Sequence, residues 1–292
     1  MAISIANFDN RNCAGCGCDS IPEVEIKMEI DFASESISVS ELQTHARYIV
    51  SGKRQISFEG VVDGKQNVAS ECSFVCNRNG SVEISGQEAV FKHCQFSVQE
   101  SDDACVAPVL EISDCKDVCF DSCIFDGCGI NRSLLRCQQN LGQWNVTFRN
   151  CKICGFNVDG PLVSMWRLNV GDNVYLSLKF ERVTVQDCKG GKLGFLRASA
   201  VKIVNSCFNQ CYSHGPFICV DSSNYGKDED ETRLDGSEFA DGCSIRELVH
   251  FDVVSQQPRN YCHLYQCRRV HFDFSQETNL DGGSFLGDNK WQ

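Results

Sequence analysis

The sequence predicts an all-β solenoid, a parallel β-helix of about eight coils, and three observations carry that prediction. The first is a recurring spacing of apolar, x, Phe or apolar, x, x, Cys or small, x, Phe or apolar, x, x, Cys. It appears as Val118, Phe120, Cys123, Phe125, Cys128 and again as Val146, Phe148, Cys151, Ile153, Phe156. Leu178, Phe180, Val183, Val185, Cys188 and Val201, Ile203, Ser206, Phe208, Cys211 continue it, and Ala89, Phe91, Cys94, Phe96 precede it. The second observation is the alternation within each copy, which is the period of a strand whose side chains leave opposite faces of the pleat. The third is a further apolar run about ten residues after each Cys position: Val82–Ile84, Ser133–Cys137, Pro161–Met165, Pro216–Val220 and Glu247–Phe251.

The column 72, 94, 123, 151, 183, 206, 237, 262 gives steps of 22 to 32 residues, the variation expected where loops absorb insertions between stacked coils. A weaker copy fits Thr232, Leu234, Ser237, Phe239, Gly242, and worn ones fit Cys72 with Phe74 and Cys262 with Leu264 and Cys267. The second run starts nine residues after Val183, at Lys192, and fourteen after Cys94, at Pro108, where Glu100-Ser-Asp-Asp103 reads as an inserted loop. Helical repeats would show an i, i+3, i+4, i+7 pattern, and these segments lack it while being rich in Val, Phe, Ile and Thr.

Stacking the copies places Phe91, Phe120, Phe148, Phe180 and Ile203 above one another at about 4.8 Å per coil. The outward position that follows reads Lys92, Asp121, Arg149, Glu181, alternating in sign. Opposite charges on neighbouring strands attract, so this order supports the register independently of the apolar pattern.

The segments Phe148-Arg-Asn150-Cys151 and Phe120-Asp-Ser-Cys123 resemble the Phe-x-x-Asn beat of right-handed parallel β-helices of the pectin-lyase-like superfamily, over roughly residues 67 to 275. The resemblance implies a right-handed coil. It implies no single activity, because that scaffold carries lyases, hydrolases, adhesins and viral fibres.

Residues 1 to about 35 lack the repeat; residues 1–50 are expected to form an N-terminal segment and cap, residues 51–275 the β-helix, and residues 276–292 a C-terminal tail rich in Asp and Gly. Ser40-Glu-Leu-Gln43 has capping-box spacing ahead of Leu42, His45, Ala46, Ile49 and Val50, which predicts a short capping helix over 40–50. Such a cap would cover an end that otherwise invites pairing with other chains.

The chain has 292 residues, a net charge of −12 and an isoelectric point near 5.0. That balance disfavours nucleic acid and anionic membrane as partners. No stretch approaches the ~20 apolar residues of a membrane-spanning helix. The N-terminus, with Asn7, Asp9, Asn10 and Arg11 soon after Met1, does not read as a secretory signal, so the expected location is a reducing compartment, either cytoplasmic or within a virion. The 21 cysteines are then expected as buried thiols, since they interchange with Val and Ser in the inward columns. The sequons at Asn79, Asn131 and Asn145 do not change that expectation.

Each candidate for chemistry has a plainer explanation. Cys13, Cys16 and Cys18 could supply three thiolates to zinc or an iron–sulfur centre, yet no second ligand cluster accompanies them. Asp228, Asp230 and Thr232, beside Lys227-Asp-Glu-Asp-Glu231, lack the Gly and terminal Glu of a calcium loop. His250 with Asp252, and His271 with Asp273, share strand faces where outward polar residues belong. Asp121, Asp126, Glu181 and Asp187 could serve a carbohydrate-active enzyme only if they converged. No catalytic, cofactor-binding or metal residues are therefore assigned and no cofactor is expected. The expected function is a non-enzymatic structural or interaction subunit whose partners are proteins of a larger assembly. The alternative is a polysaccharide lyase, glycoside hydrolase or glycan-binding adhesin.

Overall fold

A computed structural model describes residues 21–58, 68–99, 107–139, 142–167, 174–220, 232–235, 237–239, 243–251, 262–265, 268–270, 284–286 and 290–291. These residues form a nearly all-β molecule of long parallel sheets, the arrangement a solenoid would produce. A first sheet of 11 strands runs in strict sequence order from Met28–Asp31 through Ala46–Val50, Ser73–Cys76, Gln95–Val98, Ile124–Asp126 and Lys152–Cys154 to Lys290–Trp291. A second ladder joins Lys53–Phe58, Ser81–Gly86, Leu110–Ile112, Leu135–Gln139, Val163–Arg167 and Leu196–Ala198. A third joins Glu88–Lys92, Asp117–Asp121, Asn145–Arg149, Ser177–Glu181 and Ala200–Val204. Each coil visits the third sheet, then the first, then the second. Parallel pairing already takes in strands before residue 51 and continues beyond 275.

The stacked register agrees with the sequence pattern. Phe91, Phe120, Phe148, Phe180 and Ile203 are successive partners, as are Lys92, Asp121, Arg149 and Glu181. All five apolar side chains are fully buried. The rings of Phe91, Phe120 and Phe148 stack at 5.2 and 5.0 Å, and a second file of Tyr48, Phe74, Phe96 and Phe125 stacks at 5.4, 5.1 and 5.2 Å. The two files meet edge to face, for example Phe120 against Phe125 at 5.3 Å. Offset-stacked and T-shaped contacts are the favoured geometries for such pairs, so the core is a continuous aromatic column along the coil axis.

Three expectations are corrected. No helix forms over 40–50. The only helical turn among the described residues is the 3₁₀ segment Val39–Glu41, whose capping box is Ser38 with Glu41 rather than Ser40 with Gln43. Ala46–Val50 is a strand with Ala46, Tyr48 and Val50 buried, because the spacing that suggested a helix also contains a period-2 alternation, and burial against Phe74 decides between them. The second run in the coil after Val183 is paired later than Lys192: Leu196 lies opposite Val163 and Ile218, a register that sets Gly194 level with Pro161 and Pro216. Finally, Leu264 pairs with Leu234, which puts Cys262 opposite Thr232 and not opposite Ser237.

The corner between the third and first sheets is made by one residue per coil in the left-handed region: His45, Glu71, His93, Ser122, Asn150, Arg182 and Asn205, with φ from 48 to 61°. Such a residue bends the strand sharply enough that both flanking side chains, Phe120 and Cys123 for instance, turn inward. Left-handed backbone is costly for residues with a Cβ. Here the corner stays within the hydrogen-bonded stack. Ser122 N donates to Arg149 O at 2.9 Å, Asn150 N to Glu181 O at 2.9 Å, and Arg182 N to Val204 O at 2.9 Å. A different device turns Ser81–Lys92 from the second sheet into the third. Gly86 has φ 122°, and a Cβ there would lie 2.0 Å from Phe58 O.

Candidate functional site

The inward Cys column is structural. Cys94, Cys123 and Cys151 are buried free thiols, and each donates to a carbonyl of the preceding coil: Ala69 O at 3.5 Å, Phe91 O at 3.5 Å and Phe120 O at 3.3 Å. Ser237, further along the same column, donates in the same way to Ile203 O at 3.5 Å, and Ser206 Oγ accepts from Val183 N at 3.1 Å. Cys and Ser exchange there because each is a small side chain with a donor, while the buried Val183 in the same column shows that small size alone suffices. Burial pushes the thiols of Cys115, Cys137 and Cys188 up to about 12, and those of Cys123, Cys154 and Cys211 well above the usual range, so they stay protonated and unreactive. Cys207 is the exception to the free-thiol expectation among these residues: it is disulfide-bonded.

On the second sheet, Glu83 and Glu111 stand on adjacent strands, a pairing the sequence reading missed although Val82-Glu-Ile84 and Leu110-Glu-Ile112 carry the same alternation. Two carboxylates one strand apart are the spacing a retaining glycosidase uses, roughly 5 Å. Here Lys53 Nζ lies 3.2 Å from both, and Arg136 Nη2 lies 3.2 Å from Glu111. Although partial burial opposes its charge, Lys53 has a raised pKa because the Glu111 and Glu83 carboxylates hold its proton. Further along the face, Arg197 covers the ring of Trp166 at 5.8 Å.

On the third sheet the charges gather around Glu181. Its carboxylate accepts from Lys179 Nζ at 2.9 Å, lies 2.8 Å from Arg182 Nη1 and 3.6 Å from Arg149 Nε. The Lys179 hydrogen bond, with the two guanidiniums behind it and burial opposing, holds Glu181 below the usual carboxylate range. Asp121, two coils away in the same column, accepts from Asn150 Nδ2 at 3.1 Å and Ser122 Oγ at 3.2 Å. Asp126 lies on the first sheet, where its Oδ1 accepts from Cys128 N at 2.9 Å, and Asp187 occupies a left-handed corner with φ 52°. The four carboxylates considered for catalysis thus sit on different faces or different coils.

The remaining candidates divide. Cys13, Cys16, Cys18, Asp228, Asp230, Asp252, His271 and Asp273 lie outside the described residues. Thr232 opens a strand of the third ladder, and His250 is paired with Cys219 in the second. Asn131, in one sequon, donates to Asp159 Oδ2 at 2.5 Å and accepts from Asp159 N at 3.1 Å, and Asn145 donates to Asp117 Oδ1 at 2.7 Å.

Among the described residues one charged side chain is buried outright. Arg132 donates Nε to Ala107 O at 2.8 Å, Nη1 to Asn77 O at 3.0 Å, and Nη2 to Pro108 O at 3.1 Å and to Gly80 O. Its planar fork spans three coils and ties their turn carbonyls together, a structural role. Nothing in the sequence distinguished it from a surface arginine. No helix among the described residues is long and apolar enough to cross a membrane. No family model matches the chain, and no curated protein is significantly similar to it.

Proposed function

We propose that the chain is a right-handed parallel β-helix acting as a rigid, non-enzymatic subunit of a larger protein assembly, in a reducing compartment or a virion. The observation that carries this reading is the use made of the outer carboxylates. Glu83 and Glu111 are tied to Lys53, and Glu181 to Lys179, Arg149 and Arg182. A glycosidase or lyase needs carboxylates free to take or give a proton to substrate, and these are committed to holding neighbouring coils together. The aromatic column and the thiols that donate between coils support stiffness, which suits a subunit that presents its faces in fixed positions.

The test is the hydrodynamic size of the tagged chain in extract from its native source, alongside incubation of the purified chain with a panel of neutral, acidic and sulfated polysaccharides. Elution in a complex well above its own 32.5 kDa, with no change in polysaccharide chain length, is the expected result. Depolymerisation of any one glycan would move the enzyme reading to the front.

A further inference from the structure

The left-handed corner between the third and first sheets begins with three residues whose side chains can ligate a metal. His45, Glu71 and His93 hold successive corner positions, where later coils have Ser122, Asn150, Arg182 and Asn205. His45 N donates to Glu71 O at 2.7 Å, Glu71 N to Lys92 O at 3.0 Å and His93 N to Asp121 O at 3.0 Å. The three backbones are thereby fixed in the stack at steps of ~4.8 Å. His45 and Glu71 are half-buried and His93 is exposed, so all three side chains stand on the outer surface.

His45 is already oriented as a ligand. Its Nδ1 lies 3.1 Å from Glu25 O, and a carbonyl only accepts, so in the neutral ring Nδ1 carries the hydrogen and the Nε2 lone pair is left to face Glu71. A ring nitrogen tied to a backbone carbonyl is the contact that holds a metal-binding histidine in its tautomer. Nε2 stands 3.5 Å from Glu71 Oε2. A charge-assisted hydrogen bond would close to about 2.7–2.9 Å, whereas two ligands at about 2.1 Å from a tetrahedral ion lie roughly 3.4 Å apart. The His93 ring makes no hydrogen bond or ion pair among the described residues. Lys92 beside it is opposite Asp121 in register, and that carboxylate offsets its charge.

From this geometry we propose that the corner binds one divalent transition-metal ion of the zinc class. Its ligands are His45 Nε2, a Glu71 carboxylate oxygen and the His93 ring, from three successive coils, with water in the fourth position. Two imidazoles and one carboxylate suit zinc better than magnesium or calcium, which take oxygen ligands. No three such groups among the described residues already converge on one point. His45 and Glu71 supply two ligands in place, and His93 supplies the third by a change of rotamer, a motion open to an exposed side chain. The bound ion clamps the coils that carry residues 45, 71 and 93, and the site is independent of the assembly reading above.

Isothermal titration of the purified, reduced full chain with zinc chloride tests this, once exposed thiols have been alkylated in the folded state so that Cys128 and other accessible cysteines do not compete. The wild type is expected to bind one ion per chain with a Kd in the micromolar range or tighter, and to melt at a higher temperature with zinc than without. His45→Asn and His93→Asn suit the left-handed corner, and Glu71→Gln keeps the shape of its side chain. Each variant is expected to melt like the wild type without zinc, to bind zinc at least tenfold more weakly and to lose the gain in melting temperature. Cobalt(II) in place of zinc should give visible d–d bands with no sulfur-to-metal charge-transfer band. A wild type that binds only in the millimolar range overturns the proposal, as does a cobalt spectrum dominated by sulfur. Unchanged affinity in His93→Asn also overturns it, leaving His45 and Glu71 as a plain ion pair.

Discussion

Arg182 donates from Nε to Asn150 Oδ1 at 2.7 Å, one coil apart, and Asn150 passes the contact on by donating Nδ2 to Asp121 Oδ1 at 3.1 Å. Both Asn150 and Arg182 are in the left-handed region, so this polar file runs along the strained corner itself. Asn tolerates that backbone better than most residues, and its amide supplies both a donor and an acceptor.

Replacing Asn150 by Ala is therefore expected to cost about 2 kcal/mol, from two lost hydrogen bonds and a less tolerant backbone. Asn150→Gly should recover part of that, because it relieves φ while still losing the bonds. Urea unfolding of the two variants separates the terms. Equal midpoints for both variants and the wild type would show that the file contributes nothing.

Phe120 lies at the centre of the aromatic column, between Phe91 and Phe148 and against Phe96 and Phe125. Phe120→Ala and Phe148→Ala are each expected to cost on the order of 3 to 5 kcal/mol, since a close-packed solenoid has little room to collapse around the cavity. The pair should be non-additive by about 0.5 to 1.5 kcal/mol in a double-mutant cycle. Additive losses would mean the rings are not in energetic contact.

Arg132 should prove as sensitive as any core phenylalanine. Arg132→Met keeps the length of the side chain but takes away the donor to the carbonyls of Gly80, Ala107 and Pro108, while Asn77 O keeps its bond from Gly80 N, a loss of roughly 3 kcal/mol or more. Arg132→Lys is expected to restore little, because a compact ammonium cannot reproduce the fork. Full stability of the lysine variant in a thermal melt would show that charge alone is needed.

What the sequence made visible, and what it hid, follows from the kind of force involved. The Phe120–Phe148 register and the Lys92, Asp121, Arg149, Glu181 order were legible because each is a repeated choice of side-chain type at a fixed spacing. The left-handed corner was not, because His45, Glu71, Ser122, Asn150 and Arg182 share a backbone angle and no side-chain chemistry. The strand at Ala46–Val50 reads as helix because Ala46 and Val50 fit both periods, and stacking of Tyr48 on Phe74 distinguishes them. Of the charged face, the alternating column was legible. The paired Glu83 and Glu111 bridged by Lys53 required knowing that residues 28 apart are neighbours.

The buried thiols give the stability a dependence on alkaline pH. Cys115, Cys137 and Cys188 are held up to about 12 by burial, whereas in the unfolded chain a thiol ionises near 8.5. The folded state thus keeps protons that the unfolded state releases. Stability is full below about pH 8.5 and declines as pH rises from there toward 12, by up to about 2 kcal/mol per thiol at pH 10. Urea midpoints between pH 7.5 and 10.5 should fall, and Cys137→Ala should flatten the decline. An unchanged midpoint across that range would mean the thiols gain no protection from burial.

Glu181 works in the opposite direction and at the other end of the pH scale. Its carboxyl is held below the usual range chiefly by Lys179, so the stability it confers is present above the ordinary carboxylate pKa and disappears as pH falls through the lower folded value. All three cations sit near the surface, so Glu181→Gln should cost no more than about 1 kcal/mol at pH 7 in low salt. The deficit should shrink in 1 M NaCl, where the screening length drops to about 3 Å, and narrow steadily as the solution is acidified below the ordinary carboxylate range, as the wild-type side chain takes up its proton. Urea midpoints measured across an acid series and in both salts decide it. A deficit indifferent to acid and to salt would assign the role of Glu181 to packing of its side chain between coils instead of to its charge.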